Sequence, residues 1–136
     1  RIAGLDLSPC FYRKALYQKA PLMPEGYMER KLGKGPSVCK EEPFTILLAH
    51  SPLYFDSYVR WGADLTLAGH FHGGTIRIPG LGGVMTPQYQ FFLPWCAGDF
   101  ERNGKRMIVS RGLGTHSINI RLNNRPQLVL IRLRRA

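Results

Sequence analysis

Phe44-Thr45-Ile46-Leu47-Leu48-Ala49-His50-Ser51-Pro52 and, a short interval later, Asp64-Leu65-Thr66-Leu67-Ala68-Gly69-His70-Phe71-His72-Gly73-Gly74 decide how this chain folds. Each opens as an apolar, β-branched run of strand length, apolar nearly throughout rather than alternating. That is the pattern of a strand covered on both faces within an α/β sheet. Each run then ends in histidine. Between them, residues 52–61 read as a short helix, with Pro52 able to occupy its first turn and Gly62 able to close it. Strand, helix, strand in this order is a parallel crossover unit. Ligands in open α/β sheets gather at the carboxyl ends of the strands, so His50, His70 and His72 are expected to converge there.

Outward from this centre the elements are less regular. Ile2-Ala3-Gly4-Leu5-Asp6-Leu7 reads as a short strand stopped at Ser8-Pro9, and residues 11–20 can form a helix. Residues 21–43, built around Gly33-Lys34-Gly35-Pro36, are dense in proline, glycine and charge and read as a loop or insertion. Downstream, residues 75–78, 107–110, 117–122 and 127–134 look like strands, with turns at Asn103-Gly104 and Asn123-Asn124. Residues 79–98 read as an irregular loop. Its aromatics, Tyr89, Phe91, Phe92 and Trp95, together with Phe100, suit either a lid or lipid-facing surface or a satellite core. Pro79-Gly80-Leu81-Gly82-Gly83 lacks the Gly-Lys-Ser/Thr of a phosphate cradle and reads as flexible loop.

The 136 residues fit one domain, and the whole chain is expected to be one module. It begins at Arg1 and runs at once into strand-like sequence, so an upstream part is expected. Nineteen Lys and Arg against nine Asp and Glu leave a net charge of +10. That admits nucleic acid, anionic lipid or a phosphorylated substrate as partners, and equally a plain solvated face. Three cysteines, Cys10, Cys39 and Cys96, exclude a complete internal disulfide framework, and none forms a CxxC pair. A reduced, cytoplasmic setting is the expectation. The longest apolar run, residues 44–49, falls far short of the roughly 18 residues needed to span a bilayer.

Three of the four histidines follow buried runs, and two form a His-x-His flanked by Gly69, Gly73 and Gly74. Alternate residues of an extended segment face one cavity, while in a turn they can reach two adjacent ions. The glycines permit unusual backbone angles and leave room for ions and phosphate. Neutral imidazole is the commonest protein ligand for borderline divalent metals.

Ala49-His50-Ser51-Pro52 followed by Gly69-His70-Phe71-His72-Gly73-Gly74 resembles the last two metal-binding motifs of the calcineurin-like metallophosphoesterases. Ile76-Arg77-Ile78-Pro79 and Ser110-Arg111-Gly112-Leu113-Gly114-Thr115 are similar to a bacterial phosphohydrolase branch often tethered to membranes. The likeness covers residues 44–134, with residues 2–6 matching the strand after the family's Asn-His-Asp motif. It implies an α/β fold, the carboxy-terminal half of a four-layer sandwich with mixed β-sheets and flanking helices. It also implies phosphoester hydrolysis through two divalent ions (Mn, Fe or Zn), at the cytoplasm or the cytoplasmic face of a membrane. Carried over, His50 and His70 resemble ligands of the second metal and His72 a ligand of the first.

The family completes that site with an Asp-x-His motif, a bridging Asp and the Asn of Asn-His-Asp. None is in this sequence; the carboxylates beside apolar strands, Asp6, Asp56 and Asp64, stand in no such setting. Alone, the chain is therefore expected to be inactive, and either its missing amino-terminal half or a second copy is expected as partner. Phe71 and Thr75 depart from the branch, which has a small polar residue and Gln there. Arg77, Arg111 and His116 are candidates for substrate contact, each with a plainer reading as surface or loop. Two alternatives stand beside the enzyme: a non-catalytic basic binding or regulatory module, and a single-zinc domain drawing on Cys10 or His116.

Overall fold

A computed structural model describes residues 1–12, 21–36, 42–86, 91, 94–115 and 120–135. The chain is α/β. Strands β1 (Ile2–Leu5), β2 (Ile46–Ala49), β3 (Leu65–Ala68), β6 (Gly98–Arg102) and β7 (Lys105–Val109) form a sheet in the order β1-β2-β3-β7-β6. All neighbours run parallel except β6, which turns back antiparallel on β7. A two-stranded antiparallel sheet, β4 (Ile76–Ile78) with β5 (Gly82–Met85), stands apart from it. Helix α1 is Tyr27–Leu32 and α2 is Phe55–Trp61; 3₁₀ turns cover Pro9–Tyr12 and Pro52–Tyr54.

The crossover forms as its residues dictate. Pro52 lies in the first turn after β2, where Ser51 Oγ accepts from Leu53 N at 3.4 Å. Gly62, at φ 108°, caps α2 in the left-handed region that glycine reaches without a Cβ penalty. The hairpin between β6 and β7 turns on Asn103 (φ 52°) and Gly104 (φ 70°), the paired left-handed residues of a type I′ turn.

One sheet face carries the core. Leu5, Leu47, Ala49, Met107 and Val109 lie on it, all buried. Tyr27 and Met28 of α1 and Tyr58 and Trp61 of α2 pack with Leu5, Leu47 and Ala49. Phe55 packs with Met107 and Val109, joined by Trp95 and Phe100, so these two aromatics are satellite core. Trp61 Nε1 donates to Gly33 O at 3.0 Å and ties the segment after α1 to α2.

Among the described residues the opposite face is partly open. Ile2 is 71% and Leu48 46% exposed, so β2, expected to be covered on both faces, is covered on one. Residues 127–131 partly fill the gap: Gln127 N bonds Gly112 O, and Val129 and Ile131 line a groove with Leu67 and Ile108. Leu128, at the groove's margin, is 85% exposed, and Leu130, outside its lining, is 87% exposed.

Several expectations are corrected. Residues 21–43 are not loop throughout: Tyr27–Leu32 is helical, because Met28, Glu29, Arg30, Lys31 and Leu32 are all good helix formers bracketed by Gly26 and Gly33. Residues 79–98 contain β5, which pairs with β4 and includes two of the glycines read as flexible. Strand β6 was unanticipated. Residues 127–134 are not a strand, since among the described residues no neighbour supplies a ladder. Of residues 117–122, Leu122 makes an isolated bridge to Ile76, while 117–119 lie outside the described residues. Most of the helix expected over residues 11–20, with Tyr89, Phe92, Cys39 and His116, also lies outside them.

Asp64 locks the amino ends of three strands. Its Oδ2 accepts from Thr45 N at 2.7 Å, its Oδ1 from Lys105 Nζ at 2.6 Å, and its backbone O from Arg106 N at 3.0 Å. It lies at the end of the sheet opposite the histidines and serves the fold. Replacing Asp64 with Ala is expected to cost about 1–2 kcal/mol, because hydrogen bonds to a charged group are lost from a partly exposed site. Urea unfolding checks this, with an unchanged midpoint as the contrary result.

Candidate metal-binding edge

Register fixes the site. Leu5 pairs with Ala49, Leu48 with Leu67 and Ala68 with Val109, so the carboxyl ends of β1, β2, β3 and β7 stand in line. The next residues are Asp6, His50, Gly69-His70 and Ser110-Arg111. Gly69 N donates to His50 O at 3.2 Å and carries the alignment one step past the strands.

His50 and His70 meet there. His50 Nε2 and His70 Nδ1 stand 2.7 Å apart, and the ring centroids 4.6 Å apart. Tyr12, from the 3₁₀ turn after β1, packs edge-on against both, at 5.6 Å from His50 and 5.4 Å from His70. Burial, then Asp6 and Tyr27, push the Tyr12 hydroxyl above its ordinary pKa, so the phenol stays protonated. His72 sits two residues beyond, on the same edge but turned toward β7: a methyl group on Gly112 would stand 3.8 Å from His72 Nδ1. Phe71 is buried (1%), its ring 5.1 Å from that of His70. It therefore backs the site rather than lining its mouth.

The turn carrying these histidines is strained. His70 (φ 69°), His72 (φ 50°), Gly73 (φ 74°) and Gly74 (φ 89°) are all left-handed. A non-glycine residue there costs of order 1–3 kcal/mol, and such strain clusters at functional sites. Gly74 N closes the turn on Phe71 O at 2.7 Å. Asn124, 2% exposed, donates from Nδ2 to His72 O at 2.6 Å and to Gly74 O at 2.5 Å. Arg77 Nη1 donates to Gly73 O at 3.2 Å. Arg111 packs over Gly73, where a methyl group would meet its Cγ at 2.5 Å, and its Nε donates to Gln127 Oε1 at 3.1 Å. Arg121 Nη2 donates to the carbonyls of Arg111 and Gly114. Both arginines singled out in the sequence thus come to the histidine turn, one bonded to its backbone and one packed upon it.

The imidazole pair fits two ligand positions on one divalent ion. Ligand nitrogens about 2.0–2.1 Å from such an ion stand about 3.3 Å apart across a tetrahedral angle, so a small ring movement suffices. Among the described residues no third His, Cys, Asp or Glu joins them as a metal-holding group. Cys10 and Cys96 are free thiols, and burial raises the Cys96 pKa while nearby Arg77 lowers it. Tyr12 and Asn124 are the site residues that sequence reasoning missed. The pattern Asn123-Asn124 signalled a turn, and nothing local to it pointed 50 residues back.

Among the described residues no helix is long and apolar enough to cross a membrane. No family model matches the chain, and no solved structure matches it. Two curated proteins of Bacillus subtilis (strain 168) do. The uncharacterized metallophosphoesterase YkuE is 31% identical over 91 residues, 67% of this chain and 31% of its own length. The uncharacterized metallophosphoesterase YkoQ is 28% identical over 88 residues, 65% of this chain and 33% of its own length. The chain thus spans about a third of the length of the curated relatives it matches. With its α/β sheet and its histidines gathered along one edge, this chain is similar, over about two thirds of its length, to proteins named as metallophosphoesterases.

Proposed function

We propose that this chain supplies the histidine ligands of a two-metal phosphoester-hydrolysing site in a longer protein, and that it is inactive alone. The contact of His50 Nε2 with His70 Nδ1 at the carboxyl edge of parallel strands is the observation that carries this reading. His50 and His70 would hold one ion and His72, turned toward β7, the other. Divalent ions at such a site supply electrophilic stabilisation of phosphoryl oxygens and activation of water.

The chain's own residues do the rest. Phe71 and Tyr12 back the imidazoles and keep water from that side. Arg77 and Arg111 make the rim electropositive, which suits an anionic phosphoester even though their described bonds go to the protein. His116, five residues after Arg111 in the sequence, is proposed as a further substrate contact. The 136 residues act as one unit, in the cytoplasm or at the cytoplasmic face of a membrane. The remainder of a protein of the relatives' length is proposed to cover the open sheet face at Ile2 and Leu48 and to bring the carboxylates.

Hydrolysis of bis(4-nitrophenyl) phosphate with Mn tests this. The purified chain is expected to show none, and the chain joined to its upstream part to show divalent-dependent turnover. Activity in the isolated chain that survives His70→Ala would overturn the proposal. A non-catalytic basic module is the second reading, favoured by the net charge of +10 and by a ligand group incomplete among the described residues. Divalent-independent binding of nucleic acid or anionic vesicles by an inactive longer protein would select it.

A further inference from the structure

We propose that Asn124 is the positioning residue of the histidine turn, holding His72 where it can serve the site; this rests on the metal-binding reading above. The side chain is 2% exposed and crosses from the segment after Leu122 to a turn 50 residues earlier. Both of its described hydrogen bonds go to that turn, from one Nδ2 to His72 O at 2.6 Å and Gly74 O at 2.5 Å. A single amide nitrogen has two donors, and here they satisfy the two carbonyls that flank Gly73. Its Oδ1 is buried without a partner. An amide serving its own segment, as turn asparagines do, would bond its own backbone within two or three residues. Asn124 instead clamps the carbonyl of a histidine held at φ 50°.

The clamp works through direction. Pinning the carbonyls of His72 and Gly74 to one nitrogen fixes the two peptide planes that bracket Gly73-Gly74. The ring of His72 therefore leaves the backbone on a set line. The packing is tight as well, since a methyl group on Gly73 would stand 2.9 Å from Asn124 Oδ1. Residues that orient metal ligands from behind characteristically change metal affinity by 10–100-fold when removed.

The test compares Asn124→Ala and Asn124→Asp in the full chain, following histidine imidazole NMR resonances and Co(II) titration by absorption. Amide resonances of the β6–β7 hairpin report folding. The two substitutions separate hydrogen bonding from space filling, because Asp keeps the volume but sets an oxygen against two carbonyl oxygens. A positioning role predicts shifted His72 resonances in both variants, an unmoved hairpin, and Co(II) affinity lowered about 10-fold or more, with Asp at least as impaired as Ala. Asp behaving as wild type while Ala is impaired would overturn the proposal in favour of simple packing. So would unmoved His72 resonances, or loss of the hairpin signals in both variants, which would make Asn124 a residue of the core. His70→Ala is the separate control: Co(II) binding unchanged by it defeats the metal reading, while the His72 resonances still judge Asn124.

Discussion

Replacing His70 with Ala is expected to lower divalent-dependent phosphoester hydrolysis, in the chain joined to its upstream part, by more than about 100-fold. Loss of a residue merely supporting a ligand costs 10–100-fold, and loss of the ligand itself exceeds that. The effect is expected in turnover with little change in melting temperature. His70 is only half-buried, and its left-handed backbone is no easier for Ala to adopt. His50→Ala should match it, because the two rings form one pair at 2.7 Å. A double replacement should then add little, since residues acting as a unit are not additive. Steady-state rates at saturating Mn, with melting curves on the same samples, check all three variants. Turnover within tenfold of wild type in the His70 variant would remove the pair from the mechanism.

The second large effect is on stability. Trp61→Ala is expected to cost about 3–5 kcal/mol, the range for truncating a buried large aromatic. Trp61 is 2% exposed, packs with Leu47 and Tyr58 in the main core, and donates to Gly33 O. Its removal leaves a cavity under α2 and frees the segment after α1 together. Trp61→Phe should recover most of the packing and lose the hydrogen bond, about 1 kcal/mol. Denaturant unfolding monitored by circular dichroism measures both, and an alanine variant within 1 kcal/mol of wild type would place the core elsewhere.

The parts of this structure legible in the sequence were those whose signals are local. The runs before His50 and His70 are too short and too apolar to be amphipathic helices, and Pro52 and Gly62 mark the crossover between them. Glycine-flanked histidines at strand ends pointed to the site edge because few structural roles require that combination. What escaped depends on distant partners. Strand β6, Gly98–Arg102, is a charged edge strand whose sequence carries almost no apolar pattern; only its pairing with β7 makes it a strand. Residues 127–134 err the other way, since their alternation is that of a strand but no described neighbour completes a ladder. Helix α1 is two turns or fewer and is held by packing against α2 and β1 rather than by length. Asn124 was hidden for the same reason, because a hydrogen bond across 50 residues leaves no trace in spacing.

The order β1-β2-β3-β7-β6 also says where this sheet can be lengthened. The far edge is closed off by the antiparallel, charged β6. Strand β1 has β2 on one side, and among the described residues no strand on the other. A strand laid parallel against that side would inherit the common register, in which Leu5 stands beside Ala49. Its carboxyl end would arrive beside Asp6, on the edge that already carries His50 and His70. The same backbone geometry that aligns the histidines therefore makes the edge an open series, to which each further parallel strand contributes its terminal side chain.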